Sequence, residues 1–194
     1  MTVATAMSLS PPKGGVAEGG GLASSPPSFR SVRRIAVMGV DPGLARTGWA
    51  VVSGESFQRL SFDDGGTIKT AAGGLLHERI GAICEELDEA ILRHGVSALA
   101  VEDHFSRRSA PGVGHLLGPV IGAVALLAFR NHLSFLLIPP KELKHRVTGT
   151  GEAGKAALIR SLSFWFGPGI DIGTTHEGDA LGLAFLGYGR LDRP

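Results

Sequence analysis

The sequence predicts an α/β fold built on a mixed sheet, with its first three strands antiparallel and helices on both faces. Three observations carry this expectation. Residues 35–40 and 49–53 are short β-favouring runs separated by Asp-Pro-Gly and Thr-Gly, the punctuation of strand, turn, strand. Apolar residues then recur at spacings of three and four (Leu76, Ile80, Ile83, Cys84, Leu87, Ile91), which is one face of a helix. Beyond them, short apolar runs alternate with helical stretches, the order that lays parallel strands beneath covering helices.

Taken in order, residues 1–34 hold five Gly, four Pro and six Ser with no apolar periodicity, and are expected to form a flexible tail. Residues 35–194 then form the single folded domain. A third strand is expected over residues 57–62, turning at Asp63-Asp64-Gly65-Gly66. The amphipathic helix spans residues 75–94 and stops at Gly95. Residues 98–102, Ala-Leu-Ala-Val-Glu, lack polar alternation, as a central strand buried on both faces does. Residues 113–131 read as a helix that is apolar nearly all round, hence core or subunit interface, with Pro111 and Pro119 breaking or delaying its start. A strand at 134–138 stops at Pro139-Pro140, and three helices follow over residues 141–147, 152–165 and 176–187.

Composition narrows the function classes. A chain of 194 residues with 43% hydrophobic content buries one core, and the formal net charge of +1 argues at face value against a nucleic-acid partner. That average conceals opposed segments: residues 35–104 hold five basic against eleven acidic residues, and residues 105–160 eight basic against two acidic. Cys84, the single cysteine, falls on the apolar helix face and is read as a core residue in a reducing compartment. With no basic start followed by an apolar run, and an apolar stretch over 116–129 too short for a bilayer, a cytoplasmic protein with no membrane partner is expected.

The chemistry concentrates where strands end, because ligands in open α/β sheets sit beyond the carboxyl ends of the strands. Asp41 closes the first strand and Glu102 the fourth. Either alone is an ordinary turn residue. His176 and Asp179 stand three apart at the start of the last helix and so share a face, with Glu177 pointing elsewhere and Thr175 as the cap. Together the four make an oxygen-rich set suited to Mg²⁺ or Mn²⁺. Two such ions about 4 Å apart are general machinery for phosphodiester hydrolysis, with Asp41 on the first strand the candidate to be shared between them.

Four blocks in order, Gly39-Val-Asp41-Pro-Gly-Leu-Ala-Arg-Thr-Gly48, Ala100-Val-Glu102 with Phe105 beyond it, Pro139-Pro-Lys-Glu-Leu-Lys144 followed by the glycine-rich run to Lys155, and His176-Glu-Gly-Asp179-Ala-Leu, resemble the RuvC family of Holliday junction resolvases. The resemblance implies a ribonuclease H-like fold, two metal ions per site held by Asp41, Glu102, His176 and Asp179, and a homodimer that nicks two symmetry-related strands of a four-way DNA junction. It places Lys144 and Lys155 near the scissile phosphate and Phe105 against bases at the crossover, with Arg107 and Arg108 as candidate phosphate contacts. A branch-migration complex of RuvA and RuvB type is the partner it implies. His176 stands where many members carry Asp; imidazole, the softer ligand, would favour Mn²⁺.

Competing readings are weaker. Gly149-Thr-Gly-Glu-Ala-Gly-Lys155-Ala156 approaches a P-loop, but Ala156 stands where a Ser or Thr would ligate Mg²⁺ and no buried strand precedes it. Actin-like and sugar-kinase folds use a similar first turn in chains about twice as long. A junction-binding module without catalysis would have replaced one of the acids. The strongest alternative is a nuclease of the same fold acting on structured RNA such as ribosomal RNA precursor.

Overall fold

The computed structural model describes residues 34–103, 114–152, 154–167 and 169–191. Strand β1 (Ile35–Asp41) runs antiparallel to β2 (Arg46–Gly54), and β2 antiparallel to β3 (Leu60–Lys69). On its other side β1 pairs in parallel with β4 (Ala98–Glu102), which pairs in parallel with β5 (Ser134–Ile138), so the sheet order is β3-β2-β1-β4-β5. The helices are α1 (Leu76–His94), α2 (Gly114–Arg130), α3 (Pro140–Thr148), α4 (Lys155–Phe166) and α5 (Thr175–Leu191).

They cover both faces, as the sequence predicts. Alternation along the central strands sends Met38, Val40, Leu99 and Val101 to a core shared with Ile83 and Leu87 of α1 and Val120 and Val124 of α2. Val37, Ala98 and Ala100 point the other way, into a core shared with Leu143, Leu158, Leu181, Ala184 and Tyr188 of the last three helices. Ala98, Leu99, Ala100 and Val101 are all fully buried, which is why that strand shows no polar alternation. The Tyr188 hydroxyl donates to the Gly54 carbonyl at 2.9 Å, so the one phenol in the core is satisfied.

Helix α5 lies hard against the sheet. A Cβ on Gly39 would stand 1.9 Å from the Ala180 carbonyl oxygen and 2.5 Å from the Ala184 nitrogen, so only glycine at this β1 position lets the helix come so close. That contact fixes the height of α5, and with it the side chains at its N-terminus.

The structure corrects several expectations. The stretch Asp63-Asp64-Gly65-Gly66 is no turn: it lies inside β3, after a short 3₁₀ turn at Phe57–Arg59. A register shift between Val51 and Val52 absorbs Asp63 as an extra residue. The Asp63 carboxylate accepts from Ser53, Ser61 and Arg34, while Asp64 meets His94 at 3.0 Å and Arg93 at 3.6 Å. Polar residues that resemble a turn in sequence thus find partners within a bulged strand. Pro119 does not break α2, which runs through it from Gly114. The proline sits near the start, forfeits one intrahelical bond, and is followed at once by the buried Val120, Ile121 and Val124.

The last helix begins one residue before His176 and extends to Leu191, where Arg190 is anchored on the Leu137 carbonyl and the Glu142 carboxylate. Its capping side chain is Thr174, whose Oγ1 accepts the Glu177 N–H at 3.1 Å, in place of Thr175. Cys84 is half-buried rather than in the core, and burial pushes its thiol pKa up, away from a reactive thiolate. Among the described residues no helix is long and apolar enough to cross a membrane. Pro111 and residues 1–33 of the expected tail lie outside the described residues; Arg34, the last residue of that expected tail, donates to Ser53 and Ser61.

Candidate active site

The parallel register of β1 and β4 sets Val40 opposite Val101, so Asp41 and Glu102 close neighbouring strands at the same end of the sheet. The N-terminus of α5 arrives at that end. His176 Nδ1 and Asp41 Oδ2 are 2.7 Å apart, and Asp179 Oδ2 meets the Lys155 ammonium at 2.9 Å. Asp41, Glu102, His176, Asp179, Lys144 and Lys155 all line one cavity of about 310 Å³, together with Pro42, Gly43, Arg46, Pro140, Leu143, Gly154 and Leu158. Six of the nine predicted site residues are therefore brought together. Phe105, Arg107 and Arg108 lie outside the described residues.

Each side chain has a local reason to be there. Lys155 is the first residue of α4, and the segment before its loop is helix α3 in place of the strand a P-loop requires. Glu177, facing away from His176 and Asp179 as their spacing predicts, is buried and accepts the Gly173 N–H at 2.9 Å. It ties the incoming loop to the helix, and Thr67 bonds Thr174 at 2.6 Å from β3. The backbone ahead of His176 is thus held from two sides. A Cβ on Gly48 would lie 2.2 Å from the His176 carbonyl oxygen, so β2 supports that residue from beneath.

The electrostatics show a site short of positive charge. Burial pushes the Asp41 pKa up to about 6; the His176 hydrogen bond opposes this, and the charges of Glu102 and Asp179 add to it. The Lys155 ammonium is held protonated above its usual range by its hydrogen bond to Asp179, and the charges of Asp41 and Glu102 also favour it. A protein cation therefore already stands among these acids. Among the described residues no three His, Cys, Asp or Glu side chains converge at coordination distance as they lie, because Asp41 is turned to His176 and Asp179 to Lys155. The donor chemistry, three carboxylates and an imidazole around one cavity with an ammonium drawn into it, fits a hard divalent cation.

Sequence reasoning passes over Arg46. Arg46 sits within the first block but carries no spacing signal, and its place at the cavity follows only from β2 folding back along β1.

Comparison with known proteins identifies relatives of the chain. The family model described as crossover junction endodeoxyribonuclease RuvC matches residues 37–184. A crossover junction endodeoxyribonuclease RuvC from Chlorobaculum parvum is 38% identical over 154 residues, covering 79% of this chain and 81% of that one. The solved structure of Thermus thermophilus RuvC superposes with a TM-score of 0.71 at 27% identity, over 81% of this chain and 96% of that one. The same protein in complex with Holliday junction substrate gives a TM-score of 0.73 at 26% identity, over 80% and 94%. The mixed sheet is thus the ribonuclease H-like sheet of those structures. With a family match across most of its length and relatives at this identity, the chain belongs to the RuvC family of crossover junction endodeoxyribonucleases.

Proposed function

We propose that the protein is an endodeoxyribonuclease that resolves four-way DNA junctions, and that the cavity at the ends of β1 and β4 is its active site. The observation that carries this reading is the convergence of Asp41, Glu102, His176 and Asp179 with Lys144 and Lys155 in one cavity of a RuvC-family chain. The four would hold divalent cations, two Mg²⁺ or Mn²⁺ per site. When bound, such ions supply an activated water and stabilise the leaving oxygen of the phosphodiester. The chain's own residues do the rest. Asp41 and Glu102, fixed at the ends of rigid central strands, set the position of the site, and α5 presents His176 and Asp179 from a helix that cannot shift against β1. Asp179 would help to hold such an ion, and Lys155 and Lys144, which line the same cavity, would offset charge that builds on the phosphate. Leu143, Leu158 and Pro140 supply an apolar part of the cavity lining, and a lower local dielectric there strengthens the charge interactions.

One chain carries one such cavity among the described residues, and paired nicks in symmetry-related strands call for two; a two-fold homodimer supplies them. A branch-migration complex of RuvA and RuvB type and a cytoplasmic setting complete the reading. The test is cleavage of a synthetic four-way junction, a linear duplex and a structured RNA, each with Mg²⁺ and with Mn²⁺. Symmetric nicking confined to the junction, and lost in Asp41→Asn and Asp179→Asn, is expected. RNA cleavage with the junction left intact would sink the proposal.

A further inference from the structure

Three cationic side chains line the cavity, and they are not equivalent. Lys155 is spent on Asp179. Lys144 comes from α3, the helix that follows β5. Arg46 comes from β2, and along the sheet order the acids of β1 and β4 lie between these two cations. Neighbouring strands stand about 4.8 Å apart, so from β2 to β5 is roughly 14 Å. Arg46 is exposed at the first position of its strand, and it makes no ion pair or side-chain hydrogen bond among the described residues although Asp41, Glu102 and Asp179 line the same cavity.

Its cross-strand partner sharpens the point. Arg46 pairs directly with Lys69, the exposed last residue of β3, and Lys69 likewise has no partner among the described residues. Directly opposed residues share a face of the sheet, and like charges in that arrangement cost stability. The face is the one turned to the site. Thr67, two residues before Lys69 and so on its side of the strand, bonds Thr174 just ahead of α5, while the intervening Ile68 packs with Ile83 and Leu87 on the opposite face. Two cations without partners among the described residues thus stand side by side at the sheet end that forms the active-site cavity, across the acids from Lys144.

We infer that Arg46 and Lys69 form a phosphate cradle for the DNA backbone, on the side of the scissile position opposite Lys144. The inference rests on the nuclease reading of the cavity and adds to it a second wall. The cut strand is gripped by β2 and β3 on one side of the acids and by α3 on the other. The mutual repulsion of Arg46 and Lys69 is relieved when an anion lies between them.

The salt dependence of DNA binding tests this, because each phosphate contact contributes about 0.9 to the slope of log K against log salt. Full-length wild type, Arg46→Gln, Lys69→Gln and the double variant are titrated by fluorescence anisotropy with four-way junction and with linear duplex, in EDTA to prevent cutting. The expected slopes fall by about 0.9 in each single variant and about 1.8 in the double, on both DNAs, with Arg46→Lys restoring the wild-type slope. Arg59→Gln, an exposed arginine beside Glu55 at the far end of β2 and β3, leaves the slope unchanged. Without DNA, the Arg46→Gln thermal midpoint stays level or rises as the repulsion is removed. Unchanged slopes in both single variants, or a lowered midpoint with the slope intact, would overturn the cradle. Wild type that binds junction and duplex alike would count against junction selectivity instead, while the slope differences still judge the cradle.

Discussion

The two faces of the sheet are built on different packing rules. On the α5 face the contact is backbone to backbone: Gly39 admits the Ala180 carbonyl and Ala184 nitrogen, and nearly every residue from 177 to 188 is buried. On the α2 face the contact is made by branched side chains, Val120 and Val124 in one core with Leu99 and Val101. Helix α2 also leaves Leu126 58% and Phe129 78% exposed, on a side that nothing in the chain covers among the described residues. Only the first face carries the proposed site residues. A close, small-residue contact fixes a helix to within a few tenths of an ångström, which a site assembled from β1, β4, α4 and α5 requires. A side-chain contact buries apolar area equally well but tolerates small shifts.

Substitutions on the two faces should therefore differ in kind as well as size. The largest effect is expected at the cavity itself. Asp41→Asn should reduce junction cleavage on the order of 10³-fold and EDTA should abolish it, while the thermal midpoint does not fall, because a buried charge beside Glu102 and Asp179 has been removed. Loss of the fold in that variant would show the carboxylate to be structural. Gly39→Val comes next. Its added carbons meet the α5 backbone, and about 3 kcal/mol of stability or more should be lost together with cleavage, since α5 cannot move without carrying His176 and Asp179 away.

Val124→Ala, on the other face, should cost about 2 kcal/mol in denaturant unfolding yet leave the cleavage rate at wild type below the midpoint. A matching drop in cleavage would erase the distinction drawn between the faces. The smallest effect on monomer stability, within about 0.5 kcal/mol, is expected for Leu126→Glu with Phe129→Glu. Sedimentation should nonetheless show that variant shifted to monomer if the proposed homodimer meets on the uncovered side of α2; an unchanged dimer would place the two-fold contact elsewhere.

The parts of the site legible in sequence are those marked by local pattern. Asp41 and Glu102 each end a short apolar run, and two carboxylates at two strand ends become neighbours once the strands pair. The three-residue spacing of His176 and Asp179 places both on one side of a helix, and the structure keeps them there. What escaped reading depends on tertiary context. Pro119 is tolerated because the apolar residues that follow it are buried, a gain no local propensity contains. Thr174 and Thr175 are equivalent as capping candidates until the loop geometry selects one. Arg46 acquires its place from the fold-back of β2, and nothing in its own neighbourhood announces that.

The stretch Asp63-Asp64-Gly65-Gly66 has a further consequence. It lies in β3, the outermost strand on its side of the sheet, whose outer row of backbone N–H and C=O groups has no strand to pair with among the described residues. An edge of this kind invites pairing with another molecule's edge, the first step toward aggregation. Charged residues, glycines and a bulge are the features that discourage it, since they twist the strand and place carboxylates along the row that a second strand would have to approach. The residues that keep β3 from looking like a strand in the sequence are thus the ones that guard the folded protein against joining its sheet to a neighbour's.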